Sequence, residues 1–131
     1  MKKLLFEKPP HKEKKVRKPK RSTLSNKADK LFSLKIREVG ICMLQGIDKV
    51  KCGGSLQCMH IVGRANRRLR WDIMNALCGC AGHHTYYTNH PWEWSVLIQN
   101  VFPRKYEYVE KHRNELWDKD IEKVLGELET K

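Results

Sequence analysis

The sequence predicts a small α+β domain. Three observations carry this. Apolar residues recur at helical spacing near residues 28–39 and again from residue 91 to the C-terminal end. Between these stretches lies a glycine-punctuated segment of short apolar runs. The 131 residues suffice for one domain with one modest core.

The elements follow in order. Residues 1–30 hold 12 Lys or Arg against three acids, Glu7, Glu13 and Asp29, a net +9 of the chain's +12. Pro9, Pro10 and Pro19 break helical runs, and large apolar residues are few. Such a composition buries too little surface to offset chain entropy, so residues 1–25 are expected to be a flexible, disordered basic arm. It serves either as a grip on DNA phosphates or as a solubilising tail. The ordered domain, 26–131, is expected to begin with a helix capped by Asn26, with Asp29 in its first turn. Ala28, Phe32, Ile36 and Val39 give that helix its apolar face, and Gly40 its stop.

Residues 41–80 contain Gly46, Gly53, Gly54 and Gly63 with short apolar runs such as His60-Ile61-Val62, the pattern of short strands and a hairpin. A helix is expected over about 82–88. Pro91 suits the first turn of the next, over 92–99. C-terminal helices start at about 103: Pro103 opens one with Tyr106, Val109 and Leu116 on one side. The last carries Ile121, Val124, Leu125 and Leu128 at i, i+3, i+4 and i+7.

The charge favours a polyanionic partner, with nucleic acid the first candidate. No stretch approaches the ~20 apolar residues of a membrane span, and the opening MKKLLFEKPP lacks the long apolar run of a signal peptide. The expected location is therefore cytoplasmic, with no membrane partner. Five cysteines in such a compartment point to metal ligation rather than disulfides. Nothing in the sequence marks an oligomeric state.

The chemistry concentrates between Cys52 and Pro91, which hold four of the five cysteines and four of the six histidines. Cys80-Ala81-Gly82-His83 has the spacing of half a tetrahedral zinc site. Cys42, Cys52 and Cys58 can supply the other half. The preferred structural set is Cys42, Cys52, Cys80 and His83, with glycine after Cys52 allowing a tight knuckle turn. Buried free cysteines are the bland alternative. A core this small gains from a staple.

A second site combines His60, Asn75 fifteen positions later, and His84 nine positions after that. An imidazole near neutral pH can take a proton from water, a divalent cation can hold a phosphate, and an asparagine can tie a loop that orients the base. Arg64, Arg67, Arg68 and Arg70 lie between His60 and Asn75. Their guanidinium forks suit DNA phosphates, with a solvated basic loop as the alternative.

These residues carry a resemblance. The run Leu56-Gln57-Cys58-Met59-His60-Ile61, then Gly63-Arg64, Arg70-Trp71-Asp72, Asn75-Ala76-Leu77 and the closing Cys80-Ala81-Gly82-His83-His84 resemble phage HNH endonucleases of the ββα-metal fold, near the NinG and Rap recombination nucleases. The likeness covers roughly residues 28–102. It implies a zinc-stapled ββα-metal domain with flanking helices. It also implies a metal-dependent hydrolase cutting DNA, in host cytoplasm if phage encoded. Structural Zn²⁺ and catalytic Mg²⁺ or Mn²⁺ would be its cofactors. His60 would then be the general base, Asn75 the orienting residue and His84 the ligand of the catalytic cation. His83 takes the place of a cysteine in the family's closing Cys-x-x-Cys-His, and the chain departs from the pattern in further ways, one being the basic arm, which lies outside the likeness. Lys49 stands where a first knuckle cysteine belongs. Met59 and Thr88 stand where many relatives place further cation ligands, and Asp72 is the remaining nearby candidate. The rivals are a zinc-stapled DNA-binding module without catalysis and a junction-resolving recombination nuclease.

Overall fold

The computed structural model describes residues 20–130. Most of the expected basic arm therefore lies outside the described residues. The described chain runs α1 (Arg21–Arg37), β1 (Leu56–His60), α2 (Arg67–Arg70), a 3₁₀ turn (Ile73–Asn75), β2 (Ala76–Cys80), α3 (Ala81–Asn89), α4 (Pro91–Val101), α5 (Pro103–His112) and α6 (Ile121–Glu129). It is α+β, as expected. The two strands pair antiparallel, from Leu56 opposite Cys80 to His60 opposite Ala76.

The hairpin is sandwiched. Strand alternation sends Leu56 and Cys58 to one face with Ala76 and Cys78, where Phe32 and Ile36 of α1 cover them. Met59 and Leu77 point to the other face, against Tyr87 of α3 and Trp94 and Ile98 of α4. All five residues of β2 are buried, so the strand reads as a continuous small-apolar run. α6 packs Ile121, Val124 and Leu125 on Ala28 of α1. No helix is long and apolar enough to cross a membrane among the described residues.

Three expected details differ. α1 begins at Arg21 and Asn26 is an exposed residue inside it, because Leu24 and buried Ser25 already pack inward beside Ala28. Packing on α6 outweighs the capping preference. Val39 is 52 % exposed, beyond the end of α1, where tight turns from Val39 N–H to Ile36 O and Gly40 N–H to Arg37 O close the helix. Leu116 is 94 % exposed in the segment after α5. Its helical spacing with Val109 is broken because α5 stops at His112.

Residues 41–55 are loop, and the strands of the stretch from 41 to 80 are β1 and β2. The loop is docked by Met43 N–H on Cys78 O at 2.8 Å. Its tight turn lies at Gly54, φ +78°, rather than at Gly53. A Cβ at Gly54 would also stand 2.7 Å from the Ala81 Cβ. Gly54→Ala is expected to cost about 2 kcal/mol or more, from the left-handed backbone and the overlap together. Gly53→Ala, with open space around its Cβ, should cost far less. Thermal melts of the two variants check this, and equal losses would contradict it.

Candidate functional site

The first site is a Cys₃His cluster. The Sγ atoms of Cys42, Cys52 and Cys80 and one nitrogen of His83 all lie within 4.8 Å of one another. His83 Nδ1 is 3.6 Å from Cys42 Sγ, 3.6 Å from Cys52 Sγ and 3.1 Å from Cys80 Sγ. A tetrahedral zinc with ordinary Zn–S and Zn–N bonds has S···N edges of about 3.6 Å. The donor set therefore fits a metal such as zinc, and it is the set expected from sequence. Cys58 sits instead on the α1 face of the hairpin.

The local fold explains the cluster. Cys80 ends β2 and caps α3, its Sγ accepting from His83 N–H at 3.4 Å and from Gly53 N–H at 3.4 Å. Burial opposes ionisation of this thiol, but those donors bring it down to about 6. Burial and the neighbouring thiols push Cys52 up to about 11. Cys42 Sγ accepts from Cys80 N–H at 3.3 Å.

Sequence reasoning missed Asp48. Its Oδ1 accepts from His83 Nε2–H at 2.9 Å, and its Oδ2 accepts from Tyr87 Oη–H. A carboxylate on the far nitrogen holds the ring so that Nδ1 faces the thiols. The available signal was an acid inside the loop between two ligand cysteines.

The second site is an open cleft of about 740 Å³ between α1, the end of β1 and α3. His60 and His84 both line it, with Lys30, Arg37, Arg64 and Asp29. His60 Nε2 is 2.9 Å from Arg70 O. A carbonyl only accepts, so the ring proton sits on Nε2 and the lone pair on Nδ1. The His60 ring stacks on Phe32, centroids 5.7 Å apart. Burial lowers its pKa below the usual value, which keeps the imidazole neutral and basic at pH 7. His84 Nδ1 donates to Gln57 Oε1 at 2.6 Å, leaving its Nε2 lone pair for a ligand. Burial lowers the His84 pKa too.

Asn75 is fully buried outside the cleft. Its Oδ1 accepts from Val62 N–H at 2.8 Å, and its Nδ2 donates to Val62 O and Leu69 O, both at 3.0 Å. It thus ties residues 62–69 to the 3₁₀ turn that leads into β2, next to the carbonyl that orients His60. Asn75→Ala should cost roughly 2–4 kcal/mol through the stranded backbone groups. Zinc content should stay unchanged. A melting curve with metal analysis tests this, and an unaltered melt would remove the loop-tying role.

Of the four arginines, Arg64 lines the cleft, its side chain 64 % exposed. Arg70 forks onto Asp29 with bonds of 3.0 and 2.6 Å. Arg67 lies over the Trp117 ring and Arg68 pairs with Asp72 and Glu115, both along a different hollow beside α5. Asp72 is engaged there by Arg68, Tyr108 and Met74 N–H, so it does not assist His84. The residue sequence reasoning overlooked here is Asp29. Burial alone would raise its pKa, but Arg70, Trp71 Nε1–H at 3.0 Å and Arg64 hold it below the usual carboxylate range. Its signal was an acid beside the buried stripe of Ala28, Phe32 and Ile36, in a chain with an arginine-rich loop. Met59 is buried against Gly79 and offers the cleft nothing. Thr88 Oγ1 donates back to His84 O at 2.7 Å.

No family model, curated protein or solved structure matches the chain.

Proposed function

We propose that this protein is a metal-dependent endonuclease of the HNH type that hydrolyses DNA phosphodiester bonds. The observation that carries the reading is the pairing of two neutral histidines in one basic cleft, each with a proton assigned by its partner. His60 Nδ1 takes the proton of the attacking water while Arg70 O steadies the imidazolium through Nε2–H. Arg64 meets the phosphate as charge develops on it. Asn75 holds the loop that carries both Arg64 and the Arg70 carbonyl. A divalent cation held by His84 would supply Lewis acidity toward the phosphate and the leaving 3′ oxygen.

The ligand chemistry makes a further expectation. With an imidazole and no free carboxylate offered, borderline cations such as Ni²⁺ should support the reaction better than Mg²⁺, which prefers oxygen ligands, with Mn²⁺ between the two. The Cys₃His cluster is the staple, with zinc the fitting ion. A plasmid-nicking assay with Mn²⁺ or Mg²⁺, beside a chelated control, tests the reading. Metal-dependent nicking is expected. Binding without cleavage under every metal would favour the second reading, a zinc-stapled DNA-binding module, for which the buried Met59 argues. Cleavage confined to branched DNA would make it a junction-resolving enzyme.

A further inference from the structure

α1 does more than cover the hairpin. Its buried residues Ser25, Ala28, Phe32 and Ile36 define one face. At 3.6 residues per turn, Lys30, Ser33, Leu34 and Arg37 fall together on the opposite side. These four line the same cleft as His60 and His84. Lys30 and Arg37 are exposed, and among the described residues neither has a carboxylate within ion-pair distance. Lys27, about one turn before Lys30 on the same side of the helix, is by contrast paired with Glu129 at 3.1 Å. The one carboxylate in the cleft, Asp29, is occupied by Arg70, Trp71 and Arg64. The open side of α1 is thus cationic, and it leads from the basic N-terminal sequence to the histidines.

We propose that this face of α1 is a rail for one backbone strand of duplex DNA, with Lys30 and Arg37 contacting phosphates and guiding the strand into the cleft. The dimensions suit this. Lys30 and Arg37 are seven residues apart, about 10.5 Å along a helix. One DNA strand advances about 3.4 Å per phosphate along the duplex axis and winds around it as it does so, so its phosphates stand further apart than that along the backbone and the two side chains can reach two phosphates of one strand. Leu34, 54 % exposed between them, would lie against the sugar edges rather than water. Lysine and arginine heads on exposed stems reach phosphates without reading bases, so the rail positions DNA and does not select sequence. The inference rests on the nuclease reading for its choice of DNA, but it is tested by binding alone.

The test is fluorescence anisotropy on the zinc-loaded full chain, with a duplex of about 25 base pairs, from 50 to 200 mM salt and no added divalent cation. Lys30→Gln with Arg37→Gln is compared with Lys35→Gln with Lys123→Gln, an equal charge change on exposed positions away from the cleft. The rail pair should lower the salt slope by about two and the affinity at 100 mM by tens-fold, because two counterion-releasing contacts are lost. The control pair should change affinity by less than about threefold. Lys30→Gln alone should give about half the slope change, and it guards against a folding defect in the double variant. Equal losses in the two pairs would mean that net charge, not this face, binds DNA. An unchanged slope in the rail pair, or tighter binding to duplex RNA of the same sequence, would overturn the proposal. Loss of binding in the rail pair with no cleavage by wild type would sink the nuclease reading and leave the rail. Cleavage and binding unaffected in the rail pair would do the reverse.

Discussion

Stripping the metal from the Cys₃His cluster, or replacing Cys80 with serine, is expected to remove about one zinc per chain and to abolish cooperative thermal unfolding of the hairpin unit. The magnitude follows from comparing two energies. A structural zinc contributes roughly 10–16 kcal/mol of apparent binding free energy at neutral pH. A domain of this size has a net stability of about 5–15 kcal/mol. The four ligands come from the 41–55 loop, the end of β2 and the first turn of α3. Without the ion, that long irregular loop is tied down by few main-chain bonds, Met43 to Cys78 among them. Serine at position 80 can still cap α3 by accepting from the His83 N–H, so the expected loss reports the missing thiolate ligand and not the cap.

The controls discriminate. Cys58→Ser should keep its zinc, because Cys58 packs toward Phe32 and Ile36. Asp48→Asn should weaken zinc binding about 10–100-fold without removing a ligand. Zinc uptake should also release protons. The thiol of Cys52 is pushed up to about 11, so it carries its proton at neutral pH until the metal displaces it. Apparent zinc affinity should therefore fall as pH drops, measurable by competition with a colorimetric chelator. Well-folded protein with no zinc would refute the staple.

How much of this was legible in the sequence differs by element. The hairpin and α3 to α6 were readable because glycine and proline punctuate them and because Ile121, Val124 and Leu125 show a clean period. The start of α1 was not. Asn26 has the chemistry of a cap, but the buried stripe extends one turn earlier, to Ser25, and tertiary packing decides. The Cys₃His cluster was readable from residue type and spacing, since with Cys80 and His83 as one half only pairs drawn from Cys42, Cys52 and Cys58 were left to complete it. The outer partners Asp48 and Gln57 were not assigned roles, and Asp29 was expected in the first turn of α1 rather than as the partner of Arg70. Their parts depend on which loop folds onto which helix, and spacing in the chain does not encode that. Gly53 was likewise the wrong glycine for the turn: its part is a main-chain N–H aimed at Cys80 Sγ, while Gly54 bends the chain. The arginines divide for a similar reason. Only the fold reveals that Asp29 takes Arg70 and Glu115 takes Arg68 before any phosphate arrives.

On the nuclease reading, His60→Ala is expected to lower the single-turnover cleavage rate by about 10²–10⁴-fold, the usual value of a general base. DNA affinity should change little, because the imidazole acts when the bond breaks and not when the strand docks. His84→Ala should also stop cleavage, but through the cation, so raised Mn²⁺ should restore part of it. No cation concentration should rescue His60→Ala. The pH dependence carries a sign. Burial holds the His60 pKa below the ordinary 6.5, so the imidazole stays neutral to lower pH than a free histidine. Cleavage should therefore rise with pH along an acid limb whose midpoint in kcat/KM lies below 6.5, and be level above it. Stability has the same direction: protonation favours the unfolded chain, so the contribution of the neutral ring is fully present above the unfolded value and is lost as pH falls from there through the lowered folded value. Replacing His60 with glutamine keeps a donor for Arg70 O, as Nε2 provides now, but supplies no base. That variant should fold like wild type and cleave like His60→Ala. Wild-type rates in either variant would assign the base elsewhere. A rate loss in His60→Ala that His60→Gln restores would reduce His60 to a positioning residue for the Arg70 loop.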